Sequence, residues 1–215
     1  MLPGEITNAL ALVNQEADLT ARSLLLAGLI SELFRERGFE PVVVGGSAIE
    51  FYTDGAYMSG DTDICWAGWP VPTLDQQAEI MHQIPGIQHP GGGRSWRIGD
   101  LWVDLLGELD FLAEGGLVKV SASTGDVILI PMEDVLVGRV YAARKWLGHQ
   151  EEEDACAKKL MSTALSGTGI TAFDWGEARK IAASPKYDCL AELEALRAEV
   201  ECQLATRPND SILPL

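Results

Sequence analysis

Hydrophobic residues recur at helical spacing early in the chain. Leu26, Leu29, Ile30, Leu33 and Phe34 fall at i, i+3, i+4, i+7 and i+8, which lines one face of an α-helix. A helix is therefore predicted over 18–38, stopped by Gly38, with a shorter one ahead of it over 6–13. The pattern then shortens. Pro41-Val42-Val43-Val44 is an apolar, β-branched run closed by glycine and reads as a buried strand. A helix over 47–52 follows the glycines, then a strand over 61–66 and a helix over 73–83 opened by Thr73. Beyond the turn at Gly91-Gly92-Gly93, segments 94–98 and 101–106 read as a hairpin around Gly99-Asp100. Segments 118–121 and 127–130 supply further strand signals.

After Pro131 only helical patterns remain, over 132–147, 151–166, 174–183 and 189–205. On the first of these the apolar stripe is Val135, Leu136, Val140, Ala143, Trp146 and Leu147. Strands mixed with helices, then helices alone, predict an α+β protein: a mixed sheet flanked by helices, followed by a helical subdomain. The expected boundaries are 1–131 for the head with its N-terminal helices, 132–206 for the helical subdomain and 207–215 for a loose tail.

Charge narrows the partners. The chain has 215 residues and a formal net charge of -16. Nucleic-acid binding depends on Lys and Arg neutralising phosphates, so a broad nucleic-acid interface is disfavoured, and a small molecule or a basic partner protein suits this surface better. Cys65, Cys156, Cys189 and Cys202 form no C-x-x-C pair and are expected to be buried reduced thiols. Neither a secretory leader nor an apolar run of membrane-spanning length is visible, so the expected address is the cytoplasm. Glu151-Glu152-Glu153-Asp154 reads as a solvated acidic helix start, favoured by the dipole there. His82, His89 and His149 belong to no evident triad or metal motif.

Three features carry chemistry. A strand that turns into a helix through Gly45-Gly46-Ser47 leaves backbone amides unpaired at the helix start, which suits an anion. The Ser47 hydroxyl either caps that helix or bonds a phosphate oxygen. Asp61 and Asp63, at i and i+2 of a strand, project to one side. Two like charges so close repel unless a cation joins them, and hard oxygen ligands of this kind suit Mg²⁺. Asp104 lies in the run Leu101-Trp102-Val103-Asp104-Leu105-Leu106, where a charge among apolar residues is costly without a partner. It either completes a three-carboxylate cage with Asp61 and Asp63 or faces water on an edge strand. Arg139 falls on the inward face of its helix and needs an anionic partner, either an acidic side chain or a triphosphate. Arg94 and Arg97 flank Trp96 on an exposed hairpin face or at a cleft mouth.

Val44-Gly45-Gly46-Ser47, a gap over 48–60, and Asp61-Thr62-Asp63-Ile64 together resemble the signature of the nucleotidyltransferase superfamily related to DNA polymerase beta. The likeness spans roughly 42–106. The size and helical tail resemble small stand-alone bacterial and archaeal members, including toxins of abortive-infection and toxin–antitoxin pairs. The resemblance implies a nucleotidyltransferase-like sheet and a two-metal Mg²⁺ site on Asp61, Asp63 and Asp104, which would also be the catalytic residues. An NTP would be held by Gly45, Gly46, Ser47, Ser59 and Arg139. It implies transfer of an NMP to a hydroxyl or phosphate of a small molecule, a protein side chain or an RNA end. Members often carry a basic residue just before Asp-x-Asp, whereas Tyr57-Met58-Ser59-Gly60 is uncharged. That departure keeps a second reading open: a protein of this fold that binds nucleotide or a partner without turnover, as in half of a toxin–antitoxin pair.

Overall fold

The computed structural model describes residues 1–90, 92–146 and 150–206. The expected tail over 207–215, Gly91, Leu147 and His149 therefore lie outside the described residues. The chain divides into two compact units, Met1–Val135 and Leu136–Leu215.

Among its described residues, the first unit holds a six-stranded mixed sheet and four complete helices. Its strands are β1 (Pro41–Val43), β2 (Thr62–Trp66), β3 (Ser95–Ile98), β4 (Leu101–Glu108), β5 (Val118–Ala122) and β6 (Gly125–Leu129), ordered β3-β4-β2-β1-β6-β5. The pairs β2/β4 and β1/β6 are parallel, and β1/β2, β3/β4 and β5/β6 are antiparallel. The helices are α1 (Pro3–Gln15), α2 (Leu19–Arg35), α3 (Gly45–Tyr52) and α4 (Leu74–Met81).

The helical stripe in the sequence is the stripe that α2 buries: Leu26, Leu29, Ile30, Leu33 and Phe34 are at most 1% exposed. Asp18 caps this helix, accepting from the Ala21 amide at 2.8 Å. Phe34 meets Trp66 of β2 with ring centroids 4.7 Å apart. The sheet face bearing Thr62, Ile64, Trp66, Val103 and Leu105 is therefore the covered one, and all five side chains are buried. Period-2 alternation then sends Asp63 and Asp104 to the opposite, more open face.

α3 begins two residues earlier than the sequence predicts. The glycines enter its first turn, and Val44 is the N-cap, without a side-chain cap bond. At the other end, Tyr52 donates its hydroxyl to the Ile130 carbonyl at 2.9 Å, tying α3 to the end of β6. Thr73 opens α4 as its sequence predicts, and it exchanges bonds with Gln76 in a reciprocal cap.

The helix opening at Met132 is α5 (Met132–Tyr141). It continues as a single π-helical turn over Ala142–Trp146, where α-helix was expected. Its first turn ends the first unit, where buried Asp134 accepts the Leu112 and Ala113 amides at 2.7 Å each. Val135, Leu136, Val140 and Ala143 are buried as the stripe predicts, but Trp146 is 65% exposed and stacks on Tyr141. The wider π turn changes the helical phase along its own length, which takes Trp146, its last residue, off the stripe.

The second unit continues with α6 (Glu151–Ser166), α7 (Trp175–Ala182) and α8 (Leu190–Thr206). Asp154 is not part of a solvated acidic start. It is 3% exposed, and its carboxylate takes Arg144 at 2.6 Å and Lys158 at 2.8 Å. Both cations also reach Glu199 of α8. Burial raises the Asp154 carboxyl pKa, but the hydrogen bonds from Arg144 and Lys158 outweigh it, and the net direction is down. Glu199 is lowered by Lys158 first and Arg144 second. Carboxylates depressed on folding stabilise above their unfolded pKa and lose that contribution as pH falls through the folded one. Helical circular dichroism is therefore expected to show acid loss of structure below the ordinary carboxylate range. Asp154→Asn should flatten that acid limb, and an unchanged limb would show the cluster to be uncoupled from acid stability.

All four cysteines are free. Cys156 and Cys189 are buried as expected, but Cys65 is half-buried and Cys202 is exposed on α8.

Candidate active site

The parallel pairing of β2 with β4 places Asp63 directly opposite Asp104. Asp61, two residues before Asp63, lies one position ahead of β2 rather than within it. One carboxylate oxygen from each of Asp61, Asp63 and Asp104 lies within 4.8 Å of the other two, and none of the three residues is buried. Asp104 therefore does not sit among apolar neighbours. Val103 and Leu105 point into the core, Trp102 is 38% exposed on its own face, and Asp104 stands opposite Asp63 of β2 on one side and Ser95 of β3 on the other. Like charges at this separation repel by about 1 kcal/mol in water and by several times that in a lower effective dielectric. Three hard oxygen donors on one open face suit a divalent cation such as Mg²⁺.

The glycine turn borders this cluster. The first hydrogen bond of α3 runs from the Ala48 amide to the Val44 carbonyl at 3.2 Å, so the amides of Gly45, Gly46 and Ser47 precede the helical ladder. Gly45 has φ +60°, and a Cβ there would overlap Oδ2 of Asp63. A Cβ on Gly46 would stand 2.6 Å from the Ser59 hydroxyl. Both glycines thus make room for other side chains of the protein, Asp63 at Gly45 and Ser59 at Gly46.

Ser47 is neither the helix cap nor a free hydroxyl. It is 1% exposed, donates to the Val44 carbonyl at 3.3 Å and accepts the Asp63 amide at 3.0 Å. Its hydroxyl locks the start of α3 to the strand that carries Asp63. Ser59 donates to Asp61 Oδ1 at 3.3 Å. Arg139 belongs to the second unit, where it donates to Glu153 of α6 at 2.7 Å, side chain to side chain. Arg97 lies over the Trp102 ring at 5.7 Å and donates to the Gly99 carbonyl at 2.8 Å, the exposed hairpin-face arrangement. The Cys65 thiol, two residues past Asp63, is pushed up to about 11 by burial and then by the Asp63 carboxylate, with Arg94 acting against both.

The sequence reading passed over Glu50. This residue is 1% exposed within α3, and its Oε2 accepts the Ser59 amide at 2.8 Å. The signal was a single charge inside the apolar run Ala48-Ile49-Glu50-Phe51-Tyr52.

No protein-family model matches the sequence, and no curated protein matches it. Solved structures do. An antigenic nucleotidyltransferase-like protein from Paracoccidioides brasiliensis aligns over 86% of this chain and 88% of its own, at 13% identity and a TM-score of 0.53. JHP933 from Helicobacter pylori aligns over 89% and 97% at 11% identity and TM-score 0.43. ANT(2")-Ia, solved with adenylyl-2"-tobramycin, aligns over 82% and 95% at 14% identity and TM-score 0.43. The mixed sheet flanked by helices is therefore the nucleotidyltransferase-like fold. Among the described residues, no helix is long and apolar enough to cross a membrane.

Proposed function

We propose that this protein is a Mg²⁺-dependent nucleotidyltransferase that moves a nucleoside monophosphate from an NTP to a hydroxyl or phosphate of an acceptor. The observation that carries this reading is the convergence of Asp61, Asp63 and Asp104 beside the glycine turn of α3. Their donor chemistry fits divalent cations, and these three residues would hold them. Bound Mg²⁺ would supply charge neutralisation at the transferring phosphate and at the leaving oxygens. The amides of Gly45 and Gly46 would bind phosphate oxygens at the positive end of α3. Ser47 would keep that turn in register with Asp63 through its two hydrogen bonds. Ser59 would orient Asp61. Asp104 would accept the proton of the acceptor hydroxyl as its oxygen bonds to the α-phosphorus, and pyrophosphate would leave with the bridging oxygen.

The test is incubation of wild-type protein with α-labelled NTPs, Mg²⁺ and an acceptor extract. Label is expected on an acceptor, with pyrophosphate released and both lost on chelation. Nucleotide binding by calorimetry without any transfer would instead support the binding-module reading, which the uncharged Tyr57–Gly60 loop favours.

A further inference from the structure

Glu50 is a buried ionisable group for which the proposed chemistry has no use. Its Oε2 accepts the Ser59 amide at 2.8 Å, while its Oε1 is buried without a hydrogen-bond partner among the described residues. A carboxylate oxygen buried without a partner is destabilising, and such exceptions in native structures call for an explanation. An apolar residue would satisfy the packing of α3, so the explanation lies in what Oε2 holds.

It holds the chain segment that delivers Asp61. Past the end of α3 the backbone reverses through Asp54 (φ +49°) and Gly55 (φ +74°). The Gly55 amide returns to the Glu50 carbonyl at 3.0 Å, and the Tyr57 amide to the Thr53 hydroxyl at 3.2 Å. The Glu50 carboxylate then takes the Ser59 amide. Fixed there, Ser59 presents its hydroxyl to Asp61 Oδ1 on one side and crowds Gly46 on the other. One buried carboxylate thus connects the glycine turn, the loop and the first of the three acids.

We propose that Glu50 is a positioning residue for the metal site: its carboxylate, acting through the Ser59 amide, fixes the loop on which Asp61 enters the cluster. This rests on the reading of Asp61 as a metal ligand. It goes beyond that reading by assigning the order of the site to a residue that touches neither metal nor nucleotide.

The experiment compares full-length wild type, Glu50→Met, Glu50→Gln and Asp61→Ala. Mn²⁺ affinity is read by calorimetry, amide exchange at Ser59 by NMR, and thermal stability by circular dichroism. Glu50→Met keeps the side-chain length and removes both the acceptor and the orphaned oxygen, so it is expected to melt close to wild type. It should nevertheless bind Mn²⁺ about tenfold more weakly, the scale seen when a partner behind a metal ligand is lost, and its Ser59 amide should exchange faster. Glu50→Gln retains an acceptor oxygen and is expected to restore both readouts. A merely structural role would move stability without this split. If wild type binds Mn²⁺ and Glu50→Met binds it equally well with Ser59 still protected, the role of Glu50 is overturned. If Glu50→Met fails to fold, failure of Glu50→Gln to protect Ser59 or to bind Mn²⁺ overturns it equally. Wild type that binds no Mn²⁺, and is indistinguishable from Asp61→Ala, overturns the metal reading itself, a result distinct from failure of the Glu50 link.

Discussion

Asp63→Ala is expected to abolish nucleotidyl transfer while leaving a folded protein. Asp63 occupies the middle of the cluster. It is two residues from Asp61 along the chain, directly opposite Asp104 across the strands, and in van der Waals reach of the glycine turn. The substitution keeps the Asp63 amide, and with it the bond to the Ser47 hydroxyl that holds α3 against β2. It also removes one of three mutually repelling charges, so the loss falls on chemistry rather than on folding. Charge stabilisation by a correctly held metal is worth several kcal/mol at the transition state. At about 1.4 kcal/mol per factor of ten, kcat/KM should fall by roughly three orders of magnitude. Label transfer at matched Mg²⁺ and NTP, with a circular dichroism spectrum as the folding control, measures both halves. A folded Asp63→Ala protein that transfers within tenfold of wild type would remove Asp63 from the site.

Much of this site was legible from spacing alone, and the parts that were not have identifiable causes. The stripe from Leu26 to Phe34 and the alternation through Leu101–Leu106 depend only on local period, and both describe the observed faces. The adjacency of Asp63 and Asp104 depends on β2 and β4 pairing in parallel. That pairing is a non-local choice which no period encodes. Asp104 was singled out as a costly charge in an apolar strand, yet its own face is open, and the company it finds there is another carboxylate. The reading of Ser47 as a cap failed because the helix begins two residues earlier, with Val44 at the cap position. The π turn at Ala142–Trp146 was invisible because the residues fit an α-helical stripe. In the turn observed, Arg144 engages Asp154 and Glu199, a long-range ion-pair set. Glu50, in contrast, was detectable by the reasoning applied to Asp104: one charge in an apolar run.

The glycine pair gives the second large effect, and it separates two roles that the sequence merges. Gly45→Ala places a side chain at φ +60°, which costs an L-residue about 1–2 kcal/mol. The added methyl would also overlap Asp63 Oδ2, so the carboxylate must leave the position it holds in the cluster. Transfer should therefore fall about as far as in Asp63→Ala, with a lower denaturation midpoint as well. Gly46→Ala is milder, because the backbone there is not left-handed and the neighbour it meets at 2.6 Å is the rotatable Ser59 hydroxyl. If Gly46 serves the triphosphate, Gly46→Ala should keep Mn²⁺ affinity and weaken NTP binding. If it serves only the Ser59 contact, Mn²⁺ affinity should fall with it, through Asp61. Gly4→Ala, a helical position with nothing within 4 Å, is the control and should leave stability unchanged or raise it by up to about 1 kcal/mol. Urea denaturation beside metal and nucleotide titrations ranks the three. A Gly45→Ala protein with wild-type midpoint and wild-type transfer would mean that neither the left-handed turn nor its contact with Asp63 matters to the site. Because the predicted loss at Gly45 runs through Asp63, combining Gly45→Ala with Asp63→Ala should cost transfer no more than either alone, whereas independent effects would multiply.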